Sequence, residues 1–288
     1  MSATAATETS TLATATKPVL RIAPPAGWCE IPLGELWSYR ELLYFMVWRD
    51  IKIRYKQTVI GAAWAVLQPL MTMIIFSLVF GKLAHIPSEG MPYAIFYYSA
   101  LLPWMYFASA LQNATNTIVE NQRVITKVYF PRLALPLAAV LAGLVDFGIS
   151  FLMFVVLMLY YRIHPTVAIL WLPAFLLLAV LTALGVGLWL SALNAIYRDV
   201  RYVLPFLVQF WMFASPVAYP ASLVPVKWRW LYGLNPMAGV IEGFRWSLAG
   251  HGEPPGRILI ASVGVVILIL LGGVAYFQRM ETTVADVV

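Results

Sequence analysis

Charge is what this sequence has least of. Only 11% of its 288 residues are Asp, Glu, Lys or Arg, and three are His. An ordinary globular domain carries about 25% charged residues, so this chain cannot coat a water-soluble surface. Cys29 is the single cysteine, which excludes an internal disulfide framework. The thirteen carboxylates lie mostly outside the apolar runs, so little material is left for a metal site and none is expected. A phosphate-cradling loop, G-x-x-x-x-G-K-[ST], is missing too. The one Gly-Lys pair, Gly81-Lys82, has Phe76 where the first glycine belongs and Leu83 after the lysine. Neither HExxH nor GxSxG occurs. The chain is read as no enzyme and as holding no cofactor of its own. Any active transport must draw its energy from another chain or from an ion gradient.

What the sequence has in quantity is apolar surface: 61% hydrophobic residues and a mean hydropathy of +0.80. This composition predicts an all-α integral membrane protein. Apolar runs near the roughly 20 residues that a helix needs to cross hydrocarbon place spans at 59–80, 93–119, 133–161, 167–193, 203–219 and 258–277. Between the fifth and sixth, residues 220–256 are apolar but broken by Pro220, Pro225, Pro236, Pro254 and Pro255. Neither half can cross a bilayer, so the segment is expected as a re-entrant pair of short helices. The Ala/Thr/Ser-rich start has neither the basic opening nor the apolar run of a secretory signal. The expected organisation is a disordered cytoplasmic tail (1–36), a permease domain (37–280) and a short cytoplasmic C-terminal tail (281–288).

With the amino terminus inside, thirteen Lys and Arg fall on the cytoplasmic face and six on the other. That excess predicts both termini in the cytoplasm. The net charge of +6 is thereby accounted for without nucleic acid. Ahead of the first span, residues 39–57 form an amphipathic segment. Tyr44, Trp48, Ile51 and Tyr55 recur at helical spacing, while Arg49, Lys52 and Lys56 form a basic stripe, and Asp50 and Arg54 lie one turn apart, able to pair. The pattern predicts a helix in the headgroup layer of an anionic leaflet, with Arg49, Lys52, Arg54, Tyr55 and Lys56 its contacts to lipid. The alternative is a basic cluster that only sets topology.

Two short cytoplasmic loops, 120–132 and 194–202, read as helices between spans and could act as levers under a pushing partner; the alternative is ordinary connecting loops. Asp146 is the one clear ionisable residue inside a span, with no acidic or histidine relay around it. It reads either as a hydrogen-bonding group between helices or as a functional group. Phe206, Phe210 and Phe213 recur at helical spacing in the fifth span beside Trp211. Such a face could hold sugar rings by apolar contact while letting a repetitive polymer slide, or serve as plain helix packing.

Residues 48–70, WRDIKIRYKQTVIGAAWAVLQPL, resemble the signature of ABC exporter permeases of the second type, polysaccharide branch, which move O-antigen, capsule or teichoic-acid chains. YFPR at 129–132, YRDV at 197–200 and LNP at 234–236 also resemble their counterparts there, and the match is collinear from about 37 to 277. The resemblance implies a homodimer in the bacterial inner membrane, joined to two copies of a separate ATPase subunit that holds ATP and Mg. It implies that 39–57 is an interface helix and that coupling helices at 121–129 and 196–202 touch the ATPase through Arg123, Lys127, Tyr197, Arg198, Asp199 and Arg201. Periplasmic gate helices would fall within 221–248, including Trp228, Trp230, Asn235 and Pro236. The path would run past Trp64, Gln68, Phe206, Phe210 and Phe213, and the substrate would be a lipid-linked polysaccharide. Alternatives are a related permease for a drug or small lipid, or a membrane enzyme acting on lipid-linked sugars, for which Glu242 with Arg245 is the only nearby carboxylate–base pair.

Overall fold

The computed structural model describes residues 33–56, 61–164, 166–249 and 256–287. Residues 1–32 of the expected tail, Gln57 at the end of the amphipathic segment, the start of the first expected span at Val59 and Ile60, and Pro254 and Pro255 lie outside the described residues. Within them the backbone is helical, with no strand. Among the described residues, five helices are long and apolar enough to cross a bilayer.

The centre of the fold is α4 (Tyr93–Glu120), whose residues Ile95 to Trp104 are all buried. At 28 residues and 1.5 Å per residue it is about 42 Å long, more than enough for hydrocarbon. Around it pack α6 (Ala134–Tyr160), α7 (Leu172–Ile196, entered by a 3-10 turn at Val167–Trp171) and α10 (Pro236–Ala249). Apolar attraction cannot drive helices together in lipid, so close backbone approach and polar ties must. Both are present. A Cβ on Gly187 of α7 would meet Ala114 of α4 at 2.9 Å, and one on Gly273 of α11 (Gly256–Val287) would meet the Gly185 carbonyl at 2.6 Å. Asn194 donates to the Thr115 carbonyl at 3.1 Å, Tyr98 to that of Ser150 at 3.1 Å and Tyr106 to that of Val140 at 3.2 Å.

The first span is α3 (Ala62–Phe76), which widens into a π-helix at Ser77–Leu83. Pro69 cannot donate to the Ala65 carbonyl four residues back. Ser150 supplies the missing donor at 2.7 Å, tying α3 to α6. Spans 2, 3, 4 and 6 match their expected positions within a few residues.

The fifth expected span, 203–219, is shorter than its apolar run. Helix α8 (Val200–Ala214) has 15 residues, about 22 Å, against roughly 30 Å of hydrocarbon. Pro216 disfavours helical backbone at Ser215, which adopts φ −105°, ψ 155° and ends the helix. Residues 220–249 fold as 3-10 turns at Ala221–Leu223 and Val226–Trp228, the single-turn α9 (Arg229–Tyr232) and α10. Helix α10 is buried against α4, α7 and α11. Helical backbone in α11 continues through Val287, past the expected boundary of the C-terminal tail.

The amphipathic segment forms α1 (Leu33–Ser38) and α2 (Arg40–Lys56). Helix α2 is apolar on two sides. Leu42, Leu43, Met46 and Val47 pack into a cluster with Ile118, Ala134, Leu135, Ala195 and Phe277. Tyr44 and Trp48, on the stripe seen in the sequence, stay exposed. The expected Asp50–Arg54 pair does not form: Arg49 takes Asp50 at 2.9 Å, and Arg54 takes Asp146 of α6. A longer-range partner overrides the weak one-turn pairing.

Candidate functional site

Two ends of the bundle carry the expected functional residues. At one end, Asn194, near the close of α7, bonds to Thr115 and Asn116, near the close of α4. The loops leaving these helices therefore emerge side by side, and the cluster of Met46, Ile118 and Ala195 sets the amino-terminal half of α2 beside them. The first loop holds the single-turn helix α5 (Gln122–Ile125), with Arg123 and Lys127 exposed. The second is a correction to the expected helix at 196–202. Tyr197 is extended at φ −113°, ψ 94°, and Arg198 and Asp199 form a tight turn that runs directly into α8. Tyr197, Arg198, Asp199 and Arg201 are all exposed, and the Arg201 guanidinium lies 4.6 Å over the Tyr202 ring.

Helix α8 carries that turn to the other end. Leu204 and Val208 are buried on the α4 side, and Trp211 meets Phe107 edge-on at 5.0 Å. The opposite face, with Phe206 70%, Phe210 66% and Phe213 49% accessible, is uncovered. Where α8 ends, Asn235 gathers it: its amide donates to Ser215 Oγ at 2.9 Å and to the Ala214 carbonyl at 3.2 Å. Asn235 Oδ1 accepts from Trp211 Nε1 at 2.9 Å and from the Met237 N–H at 3.1 Å. Asn-Pro is thus the cap of α10 and also the joint between α8 and the 220–249 segment. Trp228 and Trp230 project into the open.

Beneath this joint lies the buried pair of Arg245 and Glu242, 2.9 Å apart. Arg245 is 2% exposed, sits 3.8 Å over the Phe96 ring, and donates to the Val217 carbonyl at 3.1 Å and that of Tyr219 at 3.4 Å. Glu242 also accepts the Ala221 N–H at 3.2 Å. The pair considered as an acid–base site is therefore engaged in holding the chain that follows α8.

The third feature is a cavity of about 630 Å³ between the end of α2, α3, α4 and α6. Trp64 and Gln68 of α3, Ser109 and Asn113 of α4 and Asp146 and Ser150 of α6 line it. Both oxygens of Asp146 are engaged, by Arg54 and by the Tyr55 hydroxyl, and burial pushes the Tyr55 phenol above its ordinary value. Of the expected path residues, the cavity unites Trp64 and Gln68; Phe206, Phe210 and Phe213 lie on a different face. Arg49, Lys52 and Lys56 line a shallow groove on α2 with Phe45 and Trp48, where the Lys52 ammonium lies 5.3 Å from the Trp48 ring. Sequence reasoning missed Ser109 and Asn113, whose only signal is a polar side chain inside an apolar run. Among the described residues, no group of His, Cys, Asp and Glu is placed to hold a metal ion.

Comparison with known proteins gives these features a context. The family described as ABC-2 type transporter matches residues 41–249. The chain is similar to an O-antigen export system permease protein, RfbA, of Myxococcus xanthus: 28% identical over 254 residues, 88% of this chain and 97% of the relative. It is similar to the protein of the same name from Klebsiella pneumoniae, 25% identical over 248 residues, 86% and 95% of the two chains. A polysialic acid transport protein, KpsM, of Escherichia coli is 24% identical over 196 residues, 67% and 76% of the two chains.

Proposed function

The chain belongs to the ABC-2 type transporter family, and from that premise we propose that it is the permease of an ATP-driven exporter of lipid-linked polysaccharide. It acts as a homodimer in the inner membrane with two copies of a separate ATPase subunit, which holds ATP and Mg. Residues 37–280 are the permease domain, flanked by cytoplasmic tails. The five long helices and α8 make six crossings, α8 reaching the far side with the help of 215–220. Helix α2 is the interface helix, with Arg49, Lys52 and Lys56 toward headgroups, and the 220–249 segment is the gate on the periplasmic side.

The observation that carries this reading is α8. Helix α8 joins the exposed turn Tyr197–Asp199 to the joint at Asn235, and its aromatic face is uncovered. The ATPase presses on Arg198, Asp199 and Arg201 and, through the first loop, on Arg123 and Lys127. The push travels along α8, because a helix does not compress, and arrives at Asn235, Pro236 and the exposed Trp228 and Trp230. Phe206, Phe210 and Phe213, with Trp64 and Gln68, line the path, where aromatic faces hold sugar rings without fixing one hydrogen-bond register. The relatives named for O-antigen and polysialic acid transport support a glycan as cargo.

Exchanging Arg198→Ala or Asp199→Ala in the assembled complex tests this. The ATPase rate should hold while export falls by roughly tenfold, within the usual range of coupling free energies. Unchanged export in both variants would remove the lever from the account.

A further inference from the structure

The cavity between α2, α3, α4 and α6 lies within one protomer and apart from the aromatic face of α8. Three spans distant in sequence each turn polar side chains onto it: Gln68 from α3, Ser109 and Asn113 from α4, Asp146 from α6. Asp146 sits near the middle of its helix. Polar groups at that depth are costly and face either one another or a water-filled site. Here only part of the set is spent internally. Asp146 is taken by Arg54 and Tyr55, and the Asn113 amide reaches Ser109 only at 3.4 Å. The Gln68 side chain has no hydrogen-bond partner among the described residues. The volume falls inside the roughly 300–1,000 Å³ of small-molecule sites.

The charges decide which ligand this wall suits. Its one carboxylate and one guanidinium neutralise each other. A phosphate would have to take Arg54 from Asp146, and a cation would have to take Asp146 from Arg54. What remains on offer is neutral: two side-chain amides, a hydroxyl and the half-exposed indole of Trp64. Amides and hydroxyls beside an aromatic plane match a polyhydroxylated ring, with equatorial hydroxyls to the amides and the C–H face on the indole.

We propose that this cavity is a binding site for a single uncharged glycosyl unit of the cargo, a side pocket of the path that opens past Trp64 and Gln68 inside each protomer. The inference rests on the exporter reading above and adds a site, its ligand class and the exclusion of the charged phosphate linker. Arg54 and Tyr55 close its wall, so the position of α2 sets the width of the site.

The test uses the complete permease–ATPase complex in cells that make its glycan. Photo-crosslinking p-benzoylphenylalanine replaces Met105 on the cavity wall, Phe206 on the α8 face or, as background, the exposed Leu152 of α6. A glycan adduct at Met105 well above the Leu152 background is expected, with sugar left on the permease after mild acid splits the glycosyl phosphate bond. An adduct at Phe206 but not at Met105 overturns the site and leaves the exporter reading intact. No adduct at either position removes both. A lipid phosphate left at Met105 after acid contradicts the ligand class. As a second readout, Asn113→Leu should lower export roughly tenfold, the scale of one lost hydrogen bond in a binding site, with Asn113→Gln recovering part of it. Export unaffected by Asn113→Leu counts against the proposal.

Discussion

Two helices that both suit a bilayer have opposite fates in this molecule. In α4, 78% of the most apolar stretch is buried; in the first span, α3 with its π-helical continuation, the figure is 17%. Both are apolar enough to cross a bilayer, and the buried one is the less apolar of the two, with a mean hydropathy of 1.3 against 1.9. Their partners differ. Helix α4 is surrounded by α3, α6, α7, α8 and α10, while α3 and α8 leave Leu67, Met71, Phe206 and Phe210 exposed on the protomer. One side of the bundle is a finished core, and the other is a surface awaiting lipid, a second copy or cargo. The proposed function places the moving parts on the unfinished side.

The contrast can be broken most severely at the buried charge. Arg245→Ala leaves Glu242 in apolar surroundings without its cation, and removing one member of such a pair costs about 3–5 kcal/mol. Thermal unfolding of the purified protein, or its yield in membranes, should fall sharply; a near-normal melting point would mean that the joint beneath α8 is not held by this pair. A smaller loss is expected at the α4–α7 contact. Gly187→Val drives a side chain into Ala114, and overpacking of this kind costs about 1–3 kcal/mol. The same melting experiment checks it.

At the boundary between the two sides, Asp146→Asn keeps the shape of the clasp and removes its charge. Both partners are partly exposed, so the loss of stability should be only about 1 kcal/mol. The sharper readout is protease sensitivity of α2, which should rise; no change would detach α2 from Asp146. The smallest effect on the protomer belongs to Phe206→Ala, within about 0.5 kcal/mol, as for other exposed positions. It should still weaken the dimer or slow export, which light scattering and an export assay separate. If Phe206→Ala melts as far below the parent as Arg245→Ala, the two sides do not differ as described.

Much of this architecture could be read from local pattern. Four of the spans appear within a few residues of their apolar runs, because a membrane helix satisfies its backbone within itself and needs only length and composition. The proline-broken segment after Tyr219 was equally legible as something other than a span. What failed was long-range or depended on one backbone angle. Asp50 and Arg54 are one turn apart, but Arg54 finds Asp146, 92 residues away, and no periodicity encodes that choice. The apolar run of α8 continues to Tyr219, but Ser215 before Pro216 ends the helix. Tyr197 leaves helical backbone, so the second proposed lever is a turn and not a helix. In the cavity, Trp64 and Gln68 were expected and Ser109 and Asn113 were not, since isolated polar residues in an apolar run acquire meaning only when three spans bring them together.

The central claim is that this chain moves its cargo only when driven by a nucleotide-hydrolysing partner through the two loops at one end of the bundle. The direct measurement is glycan accumulation inside sealed inside-out vesicles, with the permease alone and with its ATPase subunit, each with and without ATP. Accumulation that needs both the subunit and ATP is the predicted result. Sustained uphill movement by the permease alone would contradict it.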